Sequence, residues 1–338
     1  MNFPQHQLTA EEKLLISLCY LGFSEKQKTE ISDLIKEVRN WDHFVKLAND
    51  HSIIALVAYN IREAGVADHV PEEIMKHLDN ARMKSMARNT WLVRRWKEVN
   101  KILSEAGIRH VLLKGMALEH TVYGSRGLRQ MTDNDLLVKK EEALDAWNLL
   151  QKCGYLPGMI KSSLHSKMMT VTGYHLPPLQ KGGYFVEIHY RLFNEEGKND
   201  KLNDAIDNAI EIDIDGTRAY ILNDYTNLDF LKEHIKKHLI SGLSQLLFYL
   251  DMELISPGIS LEFPEGFLSN PDQSMNPKRR KEAYKSQFFS LPCRIRFRFL
   301  AGDIFPSLRW MKQRHNCGTI KAILFYPQRI GKLFWVLG

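Results

Sequence analysis

Two acids stand one residue apart in the segment "TDNDLLV", Asp133 and Asp135, directly ahead of an apolar run. Side chains alternate along a β-strand, so both carboxylates would leave the strand on one side, about 7 Å apart at ~3.3 Å per residue. A pair so placed can converge on one or two divalent cations. Mg²⁺ suits it best, because that ion takes one or two carboxylates and leaves its other positions to phosphate oxygens and water. Leu136, Leu137 and Val138 would anchor the strand in a sheet. The chain repeats the spacing in "EIDIDGT" (Asp213, Asp215), but there it runs into Gly216 and reads as a hairpin turn. The spacing alone therefore does not mark a site.

What surrounds the first pair does. A two-metal phosphoryl-transfer centre commonly needs a third carboxylate on a neighbouring strand. In "YFVEIHYRLF" (184–193), Val186, Ile188, Tyr190 and Leu192 share one face, while Glu187, His189 and Arg191 share the other. Glu187 is the candidate third ligand, and Arg191 a candidate phosphate contact. Lys114 and Gly115 end a short β-type run where a helix can begin. There, backbone N–H groups can approach a phosphate and the lysine adds charge. Arg126 and Arg129 lie between this turn and the acids, and either could clamp a triphosphate. Gly124-Ser125 lies nine residues before Asp133, leaving no room for a full helix between them, and reads as a loop.

Taken together, Lys114-Gly115, Arg129, Asp133-x-Asp135-Leu-Leu-Val138 and "VEIHYRL" resemble the uncharacterised nucleotidyltransferase branch of the polymerase-β-like superfamily, over roughly residues 105–255. The resemblance implies an α+β fold with a small mixed β-sheet core. It implies metal ligation by Asp133, Asp135 and Glu187 and a phosphate turn at Gly115, and it adds His189 to the nucleotide contacts expected of Lys114, Arg126, Arg129 and Arg191. It implies Mg²⁺, or Mn²⁺ in its place, with an NTP as substrate. A nucleoside monophosphate would pass to a hydroxyl of a small molecule, protein or RNA. The alternative is an inactive relative that binds nucleotide, RNA or another polyanion. His175, His234, His238 and Asp251 also match the family pattern, without an assigned role. Asn134 departs from it, since an apolar residue is usual between the two acids. A buried Asn without partners costs about 1–3 kcal/mol, which points to a shifted strand or one near a sheet edge.

The elements that would position these residues are legible in outline. Thr9 with Glu12 spells a capping box ahead of a helix that stops near Gly22. "HSIIALVAYNIREAG" repeats apolar residues at helical spacing, and Pro71 to Gly107 reads as one long helix or two in tandem. "RHVLLK" and "DNDLLV" read as strands, and "KEEALDAWNLLQKCG" as a helix. "SKMMTVTGYHLPPL" and "YFVEIHYRLF" read as strands joined across "QKGG". "AIEIDI" and "TRAYIL" read as a hairpin about Asp215-Gly216, and two further helices follow to about residue 255. The expected domains are an N-terminal helical region (1–108), an α/β core (109–222) and a C-terminal helical region with a basic tail (223–338).

Composition narrows the class. With 338 residues, 44% apolar and 25% charged, the chain is globular rather than disordered. "MNFPQHQLTAEEK" lacks the pattern of a signal peptide. "LISGLSQLLFYL" (239–250) is too short to span a bilayer, so no transmembrane segment is expected. Four scattered cysteines without a C-x-x-C pair argue against a zinc knuckle and a disulfide framework, and point to the cytoplasm. Neither H-E-x-x-H nor G-x-S-x-G occurs. Trp91, Trp96, Met83 and Met86 fit helix packing. The net charge of +6 hides an asymmetry, because residues 276–338 hold 14 Lys and Arg against Glu282 and Asp303. Such a tail can meet nucleic acid, anionic lipid or polyphosphate.

Overall fold

The computed structural model describes residues 8–169, 171, 173–193, 196–259, 263, 267–269, 271–272 and 276–337. Residues 1–7 of the N-terminal segment, and Thr170 and Thr172 of "SKMMTVTGYHLPPL", lie outside the described residues.

The chain opens with helices α1 (Ala10–Ser17), α2 (Glu25–Glu37), α3 (Trp41–Asp50) and α4 (Ile54–Glu63). Thr9 and Glu12 cap α1 reciprocally, as their spacing predicts. The stretch after Pro71 is one helix, α5 (Glu72–Glu105), with Trp96 fully buried and Met83 and Met86 exposed. The two methionines therefore do not pack as expected. Both side chains are exposed, on a helix whose buried positions include Leu92, Trp96, Val99 and Leu103. Strand β1 (His110–Leu113) leads into α6 (Lys114–Thr121), and β2 (Asn134–Val138) into α7 (Ala143–Lys152), which stops at Gly154 with φ +88°.

Then come β3 (Leu156–Pro157), α8 (Ser163–Ser166), β4 (Leu179–Lys181) and β5 (Tyr184–His189), followed by α9 (Glu196–Asn199) and α10 (Leu202–Asp207). The expected strand in "SKMMTVTGYHLPPL" is largely absent. Ser166 closes α8, and among the described residues the segment pairs only through a single bridge, His175 to His189, before Leu179 opens β4. Strands β6 (Ile210–Ile214) and β7 (Thr217–Ile221) form the expected hairpin. Its two central residues, Asp215 (φ +48°) and Gly216 (φ +75°), both take left-handed backbone, the mark of a primed turn. Asp213 Oδ1 accepts from the Gly216 N–H at 2.9 Å, so this acid pair serves the turn. The chain ends in α11 (Asp224–Ser241), α12 (Leu246–Ile255), α13 (Pro277–Ser290), α14 (Cys293–Ile304), α15 (Leu308–Arg314), α16 (Thr319–Leu324) and α17 (Tyr326–Leu337).

Seven strands form one mixed sheet in the order β3-β4-β5-β2-β1-β7-β6, a larger sheet than the small one expected. β1 and β7 run parallel, while the β3/β4, β4/β5 and β6/β7 pairs are antiparallel. β2 is an inner strand, buried at all five positions, rather than an edge strand. Asn134 is tolerated there because its amide reaches the Leu92 carbonyl of α5 at 3.4 Å.

The fold comprises two compact units. The first takes residues 1–98, 112–134 and 209–273. Its core is built by Leu14, Leu18, Phe44, Val57 and Ile61 from the N-terminal helices, with Leu246, Tyr249 and Leu250 of α12. The second takes residues 99–111, 135–208 and 274–338, with a small cluster of Met168, Leu291, Ile295 and Phe299 among its C-terminal helices.

Candidate active site

Strand alternation places Glu187 and His189 on one side of β5, while Val186 and Ile188 are buried on the other. In the second unit these two residues meet Asp135 of β2. One ligand atom from each of Asp135, Glu187 and His189 lies within 4.8 Å of the other two. His189 Nε2 is 2.7 Å from Asp135 Oδ1 and 3.5 Å from Glu187 Oε2. A second imidazole closes the group, with His175 Nε2 3.5 Å from Glu187 Oε2. The His175 bridge to His189 is fixed by backbone bonds from Leu176 N–H to Ile188 C=O (2.9 Å) and from Tyr190 N–H to Tyr174 C=O (3.0 Å).

The electrostatics follow from this packing. Burial works to raise the Glu187 carboxyl, and the nearby Asp135 adds to that. The hydrogen bond to His189 and the charges of His175 and His189 outweigh both, so Glu187 is held below its ordinary value and stays ionised. A buried Asp135 beside a partly buried Glu187 calls for positive charge, which in this arrangement comes from imidazole or from a cation.

The tautomers decide which atoms could serve a metal. His189 Nδ1 is buried and has no hydrogen-bond partner among the described residues. His189 Nε2 faces the Asp135 carboxylate, so it carries a proton and donates it to Oδ1. A metal-binding histidine normally donates from its other nitrogen, and His189 has nothing to receive that bond. The donor set is therefore better read as carboxylate oxygens oriented by an imidazole, which fits a hard cation such as Mg²⁺ or Mn²⁺. His175 Nδ1 lies 2.8 Å from the Leu176 carbonyl and can only donate to it.

Asp133 precedes β2 by one residue, in a bend, half-buried, and accepts from Thr132 Oγ1 at 3.1 Å. The described metal-capable group contains Asp135, Glu187 and His189, without Asp133. Arg191 donates from Nε to the Phe193 carbonyl at 2.9 Å.

The Lys114-Gly115 turn, in the first unit, has a tightly specified geometry. Lys114 sits at φ +48° at the first position of α6. A non-glycine residue there costs about 1–2 kcal/mol, so the neighbouring structure must impose the turn. Gly115 is required for space. A Cβ on it would lie 2.6 Å from Arg129 Nη1 and 3.0 Å from Met131 Cγ. Arg129 cannot easily yield, because its Nε and Nη2 grip buried Asp251 at 3.0 and 2.6 Å. Tyr123 donates to the same carboxylate at 2.8 Å. Buried Glu119 receives the backbone N–H groups of Gly127 and Arg129, and Asn89 donates to the Arg129 carbonyl at 2.9 Å. Burial pushes the Glu119 carboxyl up, partly offset by those backbone bonds. Arg126 reaches the Tyr59 hydroxyl at 2.7 Å, and Gly124-Ser125 forms the expected loop after α6.

The sequence left Asp251 without a role, and Tyr123 and Glu119 unnoticed. The available signal was an acid inside the apolar helix "LLFYLDMELI", which demands a partner when buried. His234 and His238 face each other on α11, Nε2 to Nε2 at 2.9 Å.

Asp135 and Glu187 thus bring two carboxyl groups together on neighbouring inner strands of an α+β fold. The model of the uncharacterised nucleotidyltransferase family matches residues 37–256, and the chain belongs to that family, whose general chemistry is nucleotidyl transfer. No curated protein and no solved structure matches the chain. Among the described residues no helix is long and apolar enough to cross a membrane.

Proposed function

We propose that the protein transfers a nucleoside monophosphate from an NTP to an acceptor hydroxyl, using Mg²⁺ or Mn²⁺ held by Asp135 and Glu187. The observation that supports this most is the buried Asp135 carboxylate next to a partly buried Glu187 that is kept ionised, beside a histidine whose Nε2–H donates to Asp135. The cation supplies charge neutralisation at the nucleotide phosphates and the departing pyrophosphate. The chain's own residues do the rest. His189 orients Asp135 through its Nε2–H. His175, anchored through Nδ1 to the Leu176 carbonyl, adds its imidazole beside Glu187. Asp133 is proposed as the further carboxylate on the strength of its place in the sequence. Lys114, Gly115, Arg126 and Arg191 are proposed as the phosphate-side residues on the same ground. Arg129 is proposed to act through the turn it braces.

The test incubates the full chain with each NTP labelled at the α-phosphate, in cell extract, with Mg²⁺, Mn²⁺ or chelator. Label should move to a protein, RNA or small-molecule fraction only with metal, and not with the Glu187→Gln protein. Nucleotide binding without any metal-dependent transfer would refute the reading in favour of a binding protein.

A further inference from the structure

The C-terminal helices of the second unit carry exposed apolar and basic residues that transfer chemistry does not use. On α14, Arg294, Phe297 and Arg298 stand at i, i+3 and i+4, all exposed, with Phe297 at 80%. On α16 the same spacing exposes Ile320 (80%), Ile323 (52%) and Leu324 (68%), with Lys321 beside them and Ala322 buried on the opposite side. On α17, Ile330 and Phe334 are exposed one turn apart.

Charge on these helices is nearly all of one sign. Of the two acids from residue 276 onward, Asp303 is buried against Lys161 and His165, and Glu282 faces Arg279 at 3.5 Å. Arg296 and Arg329 turn back onto the carbonyls of Leu291 and Asp303 and belong to the packing. Arg294, Arg298, Arg309, Lys312 and Lys321 are exposed. Arg309 and Lys312 line a shallow hollow of about 650 Å³ with Gln313 and Asn316.

Single exposed apolar residues are ordinary, but aliphatic residues repeated at helical spacing among cations are not. Single-stranded nucleic acid is held by aromatic stacking in a basic groove. Ile320, Ile323 and Leu324 have no π-face to offer a base. Aliphatic side chains flanked by Lys and Arg suit the headgroup–acyl boundary of an anionic bilayer. We propose that the α15–α16 surface docks the protein peripherally on an anionic lipid membrane, with Ile320, Ile323 and Leu324 entering the boundary and Arg309, Lys312 and Lys321 meeting headgroup phosphates.

The test is co-sedimentation of the full chain with vesicles of two parts phosphatidylcholine to one part phosphatidylglycerol, against phosphatidylcholine alone. Binding should require the anionic lipid and weaken with salt. The Ile320→Asn/Ile323→Asn/Leu324→Asn protein and the Arg309→Glu/Lys312→Glu protein should each lose at least about tenfold in partitioning while unfolding at the wild-type temperature. Should a triple variant fail to fold, the single Ile320→Asn protein carries the comparison. Wild-type protein that ignores anionic vesicles overturns the proposal, as does partitioning unchanged in the variants. Binding to poly(U) or self-association in light scattering, without vesicle binding, overturns it in favour of RNA or a second copy.

Discussion

Replacing Gly115 by Ala tests whether that glycine exists for space. Its backbone lacks the left-handed φ that would strain a side chain, so helix propensity alone favours Ala by about 0.5–1 kcal/mol. Against this, the new methyl carbon meets Arg129 Nη1 at 2.6 Å and the Met131 side chain at 3.0–3.1 Å. Met131 is flexible and can give way. Arg129 is anchored twice to buried Asp251 and cannot move without loosening that pair. Overpacking of this kind costs about 1–3 kcal/mol, so a net loss of about 1–2 kcal/mol is expected. The loss would approach ~3–5 kcal/mol if the Arg129–Asp251 pair breaks. Urea unfolding of Gly115→Ala, Arg129→Ala and the double variant reads this directly. A coupling of about 1 kcal/mol or more should appear, because the methyl group is harmless once the guanidinium is gone. A Gly115→Ala protein as stable as wild type, or more so, would refute the reasoning.

Further outcomes follow from the same geometry. Burial works to raise Asp303, but the contacts with His165 and Lys161 and the Lys161 charge outweigh it and bring its pKa to about 2, from an ordinary 3.8. Because the folded value is the lower one, Asp303 contributes stability above pH ~3.8 that disappears as pH falls toward 2, worth about 2 kcal/mol. The Asp303→Asn protein should therefore show a flatter loss of stability in acid unfolding. Tyr123→Phe removes one of the bonds to Asp251 and should cost about 1 kcal/mol in denaturant unfolding. His189→Ala should weaken Mn²⁺ binding about 10–100-fold by paramagnetic resonance, with His189→Gln, which keeps a donor, falling between it and wild type.

Local chemistry made much of the fold legible. The Thr9–Glu12 box, the Asp215-Gly216 turn and the apolar period of α4 each announce themselves within a few residues, because their causes are local. Glu187 and His189 could be placed on one face from strand alternation alone. Their meeting with Asp135 depends on β5 lying beside β2, a pairing across some fifty residues that no local pattern encodes. Asn134 shows the limit from the other side. Its polarity suggested an edge strand, whereas a helix carbonyl forty-two residues away makes an inner position tolerable. The Lys114-Gly115 turn was visible, but the reason for its glycine was not, because Arg129 and Asp251 meet across 122 residues of chain.

Pyrophosphate release from each of the four NTPs, measured with Mg²⁺ for the wild type and for Asp135→Asn in the presence of an extract-derived acceptor fraction, tests the central claim most directly. The account predicts metal-dependent release by the wild type and none above background by Asp135→Asn, with both proteins unfolding cooperatively. Undiminished release by a folded Asp135→Asn protein would contradict it.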